Sequence, residues 1–319
     1  MHVVIIGGSG HVGTYLVPRL VAAGFAVSNV TRGRRAPYLP HAAWAAVQSV
    51  IADRDAEERD GSFGARICAL KPDIVIDMVC FTRASAEHLV DALEGRVQHL
   101  LHTGTIWVHG PSMVVPTTEE APRAAFGSYG LQKAAIEAYL LEKARRDGLP
   151  VTIVHPGHIV GRGWAPLNPA GNFNTDVFAA IRRGDTLLLP NFGLETVHHV
   201  HADDVAQMMM RAIARWRASV GEAFHAVSPG ALTLRGYAEA MFRWFGHEPR
   251  LAYAPWDDWK ARTNDIDAQA TYEHVSRSPN CSIAKAETTL GYAPRYTSLE
   301  AVQESVSALI EAGALGKPT

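Results

Sequence analysis

The sequence predicts an α/β protein: a doubly wound parallel sheet with a smaller carboxy-terminal substrate-binding lobe. Three observations predict it. Short, near-continuous runs of Val, Ile and Leu alternate with helical patterns through the first half. Such runs belong to strands buried on both faces, which is the condition of a parallel sheet covered by helices. The first run leads directly into a glycine-rich turn and then a helix pattern. After Pro156 the regularity breaks into a stretch rich in Gly, Pro, Asn and Trp (GRGWAPLNPAGNFN), the composition of a loop that opens a second lobe.

Taken in order, His2–Ile6 reads as a buried strand and His11–Ala23 as the helix behind it. Ala26–Thr31 and Ala46–Ile51 read as the second and third strands. Asp73–Asp77, Val97–Thr103 and Val151–Val154 follow, with helices over Gly64–Leu70, Ala84–Leu93 and Ser128–Asp147 between them. Beyond the irregular stretch, helices are expected over Thr175–Arg183, Ala202–Trp216, Thr233–Phe245 and Leu299–Ala312. Strands are expected near Thr196–Val200 and Ala223–Val227. The organisation is therefore a dinucleotide-binding domain over residues 1–157, to which segments near 196–228 return, and a substrate-binding lobe over most of 158–319.

Composition narrows the function classes. The chain has 319 residues, 47% hydrophobic and 19% charged, with a net charge of −2. That balance gives no reason to expect nucleic acid or an anionic membrane as partner. The three cysteines, Cys68, Cys80 and Cys281, have no close spacing and suggest neither a disulfide framework nor a zinc site. The amino terminus shows no secretory leader and no run approaches a bilayer span, so the expected location is the cytoplasm.

Two patterns carry chemistry. Gly7, Gly10 and Gly13 fall between the first strand and its helix, flanking His11 and Val12. In that context Gly7 permits a tight turn, Gly10 lets backbone approach a pyrophosphate, and Gly13 lets helix and strand pack closely. The pyrophosphate then sits where unpaired N–H groups and the helix dipole favour an anion. The second pattern is Tyr129-x-x-x-Lys133, in a chain where lysine is scarce. A phenol ordinarily titrates near 10, so proton transfer near pH 7 asks for about 4 kcal/mol of help. A lysine one helical turn away can supply part of it by favouring phenolate.

With its Gly-x-x-Gly-x-x-Gly turn and Tyr-x-x-x-Lys pair, the chain resembles the extended short-chain dehydrogenase/reductase family, which includes epimerases and dehydratases acting on sugar nucleotides. The resemblance runs almost end to end and takes in Lys71–Asp77, Leu100–Gly110, Val151–Gly161, Val200–Ala206 (VHADDVA) and Leu290–Pro294 (LGYAP). It implies a Rossmann sheet, a bound NAD(P) and hydride transfer at a secondary alcohol or ketone carbon. It also implies that Tyr129 is the general acid/base and that Lys133 serves both tyrosine and nicotinamide ribose. The family register selects Thr105 as the hydroxyl that meets the substrate oxygen, with His109 in place of a tyrosine and Thr103 as its neighbour. Pro156 falls in the family's turn after the sixth strand, beside the cofactor. The resemblance also implies a homodimer through the helices Ala84–Leu93 and Ser128–Asp147, to which Leu89, Leu93, Ile136 and Leu140 offer an apolar surface, with burial against the protein's own sheet as the simpler reading of these four. An epimerase or dehydratase that retains its cofactor is the alternative, and a non-catalytic NAD(P) sensor or RNA-binding relative a more distant one.

The second strand ends in Thr31-Arg32-Gly33-Arg34-Arg35 without the carboxylate that an NAD site places there. Arg32 and Arg34 can hold a 2′-phosphate through forked, charge-assisted bonds, which favours NADP over NAD; the other reading is a basic surface loop. Asp53 resembles the family aspartate at the adenine, and reads equally as a helix cap. No metal is expected. His199 and His201 alternate along a strand, but Asp203 or Asp204 then reads as the cap of the following helix. Relatives that bind UDP-sugars carry Arg where this chain has Val197 and His155. The substrate is therefore expected to be small and polar, lined by His158, Trp164, Asn172 and His199, with Arg162 the residue able to restore a cation.

Overall fold

The computed structural model describes residues 1–315. Every apolar run of the first half forms a strand: β1 (His2–Ile6), α1 (His11–Ala22), β2 (Ala26–Thr31), β3 (Gln48–Ile51), α2 (Arg54–Arg59), α3 (Phe63–Ala69), β4 (Ile74–Asp77), α4 (Arg83–Leu93), β5 (His99–Thr103), α5 (Gly127–Asp147) and β6 (Val151–Pro156). There follow β7 (His158–Val160), α6 (Asp176–Arg183), β8 (Leu187–Pro190), β9 (Thr196–Val197), β10 (His199–His201), α7 (Ala202–Ala214), α8 (Trp216–Ser219) and β11 (Ala223–Ala226). The chain closes with β12 (Leu232–Thr233), α9 (Leu234–Trp244), β13 (Leu251–Ala254), α10 (Trp256–Lys260), α11 (Asp265–Val275), α12 (Ala284–Leu290) and α13 (Ser298–Glu311).

Seven strands form one parallel sheet in the order β11-β6-β5-β4-β1-β2-β3. Side chains along β1 alternate between two cores because strand period is two. Val3 and Ile5 pack with Leu16 of α1 and Val205 of α7 on one face, while Val4 and Ile6 meet Phe63, Leu89 and Ile136 on the other. Strand order reverses between β1 and β4, which opens a crevice at their carboxyl ends. Two glycines make the entry to it. Gly7 has φ +91°, and a Cβ on Gly13 would lie 1.9 Å from the Gly8 carbonyl oxygen, so no side chain fits there.

The second lobe has its own core, built from Phe178, Ile181, Leu189, Tyr237, Met241 and Val302. The returning segment is α7, which packs beside α1, together with β11 at the sheet edge. Thr196–His201 does not join the sheet. It splits into β9, paired with β12, and β10, paired with β7. The stretch after Pro156 is thus not all loop: β7 is three residues long, too short for any period to announce it.

Leu89, Leu93, Ile136 and Leu140 are each at most 1% exposed and turned onto their own sheet, the simpler of the two readings, and offer no surface to a second copy. One expectation is corrected. The cap of α7 is His201, whose Nδ1 accepts the Asp203 N–H at 3.0 Å. Asp203 instead binds Arg19 and Arg295, and Asp204 accepts the Arg295 and Tyr296 amides. Among the described residues no helix is long and apolar enough to cross a membrane.

Candidate active site

The crevice holds about 480 Å³ and is lined by Gly7, Gly10, Thr31, Arg32, Arg34 and Tyr38, among others. Asn29 braces its floor: Oδ1 accepts the Gly8 N–H and Nδ2 donates to Ser9 Oγ, both at 3.0 Å. α1 starts at Gly10 with no side-chain cap, so no side chain occupies its first-turn N–H groups. A glycine turn without side chains and an uncapped 12-residue helix fit the pyrophosphate of a dinucleotide, with exposed arginines at the rim. No carboxylate follows β2. Val12 is buried under the turn and Pro156 is buried at the end of β6.

His11 lies buried between Tyr38 and Trp164, both edge-on to its ring. Burial, aided by the Arg35 charge, pushes this imidazole down to about 3, so it is neutral at pH 7. Asp53 caps α2, accepting the Ala56 N–H at 3.2 Å; Ala52, Arg54 and Asp55 around it line the crevice. Arg54 is committed elsewhere, to both oxygens of Asp77 at 2.8 and 2.9 Å.

Thr105, Tyr129 and Lys133 come together beside Phe81, a residue of the crevice lining whose ring is 5.2 Å from Lys133 Nζ. Thr105 lies just past β5, where Oγ1 accepts the Trp107 N–H at 3.3 Å, and its hydroxyl is the group that pulls the Tyr129 pKa down. Tyr129, in the first turn of α5, is 42% exposed. Burial of the phenol group raises its pKa above the usual 10, and the Thr105 hydroxyl pulls it back. Lys133 is buried one turn below, 6.0 Å from the tyrosine ring centroid. Its ammonium donates to the Cys80 and Thr103 carbonyls, each at 2.7 Å. Burial lowers its pKa to about 8, against the opposing pull of Cys80 and Asp77. The lysine is thus engaged by main-chain oxygens, and the hydroxyl of Thr105 is what favours phenolate here. Thr103 meets Lys133 through its carbonyl, so the two threonines have separate places.

Beyond Tyr129 the walls are aromatic. Trp107 stands edge-on to Tyr129 at 5.8 Å and to His274 at 5.2 Å, and His158 lies 4.4 Å from His274. Phe173 stands edge-on to both histidines. Burial holds His158 well below its ordinary value and His199 at about 3, so the wall is uncharged near neutrality. His199 lies behind His158 and is bonded through Nε2 to the Leu167 carbonyl at 3.1 Å.

Trp164 packs on the glycine turn, away from this wall, and Asn172 is a brace. It accepts from Asn168 at 2.6 Å and donates to Thr271 at 3.1 Å, which leaves little for a ligand. His109 is buried against His225, ring nitrogens 2.8 Å apart. Val197 lies in the lobe core, and Arg162 is paired with Glu311 at the end of α13. The cation near Tyr129 is Arg277, from past α11, which sequence reasoning missed. It is sandwiched between Trp107 and Phe126 at 3.8 Å each and bonded to the Phe126 and Glu273 carbonyls. No local spacing ties residue 277 to residue 107. Only the closure of the lobe does.

The sequence profile of the NAD dependent epimerase/dehydratase family matches residues 3–226. The 2'-dehydrokanamycin reductase of Streptomyces kanamyceticus is 28% identical over 246 residues, 77% of this chain and 67% of that protein. A 4-hydroxy-2-methyl-3-oxo-4-farnesyl-3,4-dihydroquinoline-1-oxide ketoreductase of Stigmatella aurantiaca is 24% identical, covering 99% of this chain and 98% of its own. The solved structure of a UDP-glucose 4-epimerase with UDP-glucose from Thermotoga maritima has a TM-score of 0.74 at 19% identity, over 98% of this chain and 99% of that one. At that identity the likeness is one of fold.

The buried lysine makes stability depend on pH. Unfolded, Lys133 keeps its proton up to its ordinary 10.5, whereas in the native state it loses it from about 8. Between those values the unfolded chain binds more protons, so this group's contribution to stability rises with pH. Denaturant titrations of wild type and Lys133→Met should therefore diverge, the difference growing in favour of wild type by about 3 kcal/mol between pH 8 and 10.5. A constant difference would show that the native lysine is not displaced.

Proposed function

This chain belongs to the NAD dependent epimerase/dehydratase family, and within it we propose a reductase that moves hydride between NAD(P) and a secondary alcohol or ketone carbon of a small polar substrate. The observation that carries this reading is Lys133 set between Tyr129 and the crevice, its Nζ 6.0 Å from the Tyr129 ring and 5.2 Å from the ring of Phe81 in the crevice lining, with the Thr105 hydroxyl acting on the Tyr129 phenol. A nicotinamide cofactor in the crevice supplies the hydride chemistry. Gly7, Gly10, Val12 and Gly13 would pass its pyrophosphate onto α1, with Lys133 and Pro156 toward the nicotinamide end. Thr105 holds the substrate oxygen. Tyr129 passes its phenolic proton to that oxygen as the carbonyl becomes an alcohol, and Lys133 offsets part of the resulting negative charge. The phenol carries its proton at neutral pH, so it enters the reductive direction as the acid. The names of the two reductases above agree with that direction.

The substrate end favours an uncharged partner, since Trp107, Phe173 and the neutral His158 and His274 form the wall. A second reading, a sugar-nucleotide epimerase or dehydratase, draws on one observation. Arg277 is a buried cation without a carboxylate partner among the described residues, with Nη2 3.5 Å from where a Gly127 Cβ would lie. Its bonds to main-chain carbonyls and its stacking on two rings already account for it, so the first reading leads.

Three measurements test these assignments. Tyr129→Phe should reduce NADPH-dependent turnover, followed by absorbance on a ketone panel, by about 10²-fold while cofactor affinity stays the same. Wild-type turnover in that variant would remove tyrosine from the chemistry. NADPH should bind more tightly than NADH, and Arg32→Ala should weaken NADPH alone by about tenfold, or ~1.5 kcal/mol. Equal NADPH affinity in the two proteins would return the arginines to plain surface. Calorimetry with UDP-glucose on NADPH-loaded protein should show no binding tighter than about 1 mM. Micromolar binding that is lost in Arg277→Gln would put the epimerase reading first.

A further inference from the structure

The helix that carries Tyr129 and Lys133 presents a third polar group on the same face, the buried Glu137, one turn further on. Glu137 belongs to a chain of bonds that ends on the backbone of Thr105. Its Oε1 lies 3.1 Å from His155 Nε2, and Arg123 reaches both its oxygens, Nη2 at 2.6 Å and Nε at 3.0 Å. The other ring nitrogen of His155, Nδ1, accepts the Thr105 N–H at 2.9 Å. An acceptor must hold a lone pair, so the ring proton sits on Nε2 and is donated to the carboxylate, which defines the tautomer. Burial would raise the Glu137 carboxyl, but the His155 imidazole and the Arg123 guanidinium hold it well below its usual value.

The end of β5 is shaped for this contact. Gly104 makes the last ladder bond, its N–H to the Val154 carbonyl at 2.7 Å. A Cβ on Gly104 would lie 2.3 Å from His155 Nδ1, so only glycine admits the ring. One residue later the ladder has ended, and His155 takes the place of the missing strand partner for the Thr105 amide. The imidazole thus holds the residue at the point where its hydroxyl leaves the sheet to meet Tyr129.

We propose that His155, oriented by the buried Glu137–Arg123 pair, is a positioning residue that sets the Thr105 hydroxyl against the Tyr129 phenol and the substrate oxygen. The proposal rests on the reading of Thr105 and Tyr129 as the reacting pair, yet its first test does not. An Asn at 155 places an amide oxygen near the Nδ1 position and keeps an acceptor for Thr105. A Gln places its amide near Nε2, which serves Glu137 but leaves the Thr105 N–H without a partner.

In wild-type protein, nitrogen NMR of the histidine rings should show His155 neutral with the proton on Nε2. The Thr105 amide should be protected from exchange in wild type and His155→Asn, and exposed in His155→Gln and His155→Ala. The Tyr129 phenol, followed by carbon NMR of labelled tyrosine through an alkaline titration, should titrate at higher pH in the Gln and Ala variants and near wild type in the Asn variant. A role confined to filling core space would not separate Asn from Gln in this way. On any ketone that the wild type reduces, Gln should lower kcat by about 30-fold with the NADPH Kd unchanged, and Asn should stay within about threefold. Equal Thr105 protection and equal Tyr129 titration in Asn and Gln would overturn the proposal, even if His155→Ala fails to fold. If the NMR results appear but Tyr129→Phe keeps full turnover, the positioning stands and the catalytic reading fails.

Discussion

One helix face holds the site together. Along α5, Tyr129, Lys133 and Glu137 follow at single-turn spacing, so about 12 Å of helix meets the end of β5 with three polar groups. Lys133 ties the Cys80 and Thr103 carbonyls, which belong to the chain beyond β4 and to the last residue of β5. Glu137 reaches the Thr105 amide through His155, which lies on β6. Helix, two strand ends and a turn are therefore locked to one another by bonds that no water can replace, because the groups are buried. A buried cation with only main-chain oxygens as partners is costly, as its lowered pKa records, and it persists because the surrounding packing offers it no exit.

Charge is distributed to suit the two ends of the cleft. At the glycine-turn end, Arg32, Arg34 and Arg35 line the rim while the turn offers only backbone, an arrangement with positive charge around open space. At the substrate end, burial keeps His158, His199 and His274 neutral, with Trp107 and Phe173 beside them. Trp164 links the lobes by resting on His11 of the glycine turn. A side chain from the substrate lobe thereby covers the region where α1 begins. Selectivity then depends on hydrogen bonds and aromatic surface, with the Arg277 guanidinium stacked on Trp107 as the cation beside the wall.

The strands, the glycine turn and the one-turn spacing of Tyr129 and Lys133 could be read from the chain because each rests on local rules. Buried parallel strands demand unbroken Val/Ile/Leu runs, so all six strands of the first half were legible to within a few residues at each end. Gly7 and Gly13 are required by a positive φ and by a carbonyl that leaves no space for Cβ, and both demands leave glycine in the sequence. Helical spacing placed Lys133 under Tyr129. The same rule sets Glu137 on that face, but its partners lie on other elements, so nothing local marked it.

What the sequence by itself determined, then, was the doubly wound sheet, the glycine turn and the pairing of Tyr129 with Lys133, since each is encoded within a few residues. The tertiary structure decided which polar residues do more than pack. It spent Asn172 on a loop brace, turned Leu89 and Ile136 onto their own sheet, and set Trp164 on the cofactor turn. It brought Arg277 to Trp107 and His155 to Thr105 across separations of 170 and 50 residues. Contacts of that range depend on how the lobes close and how strand ends align, and a one-dimensional pattern holds no term for either.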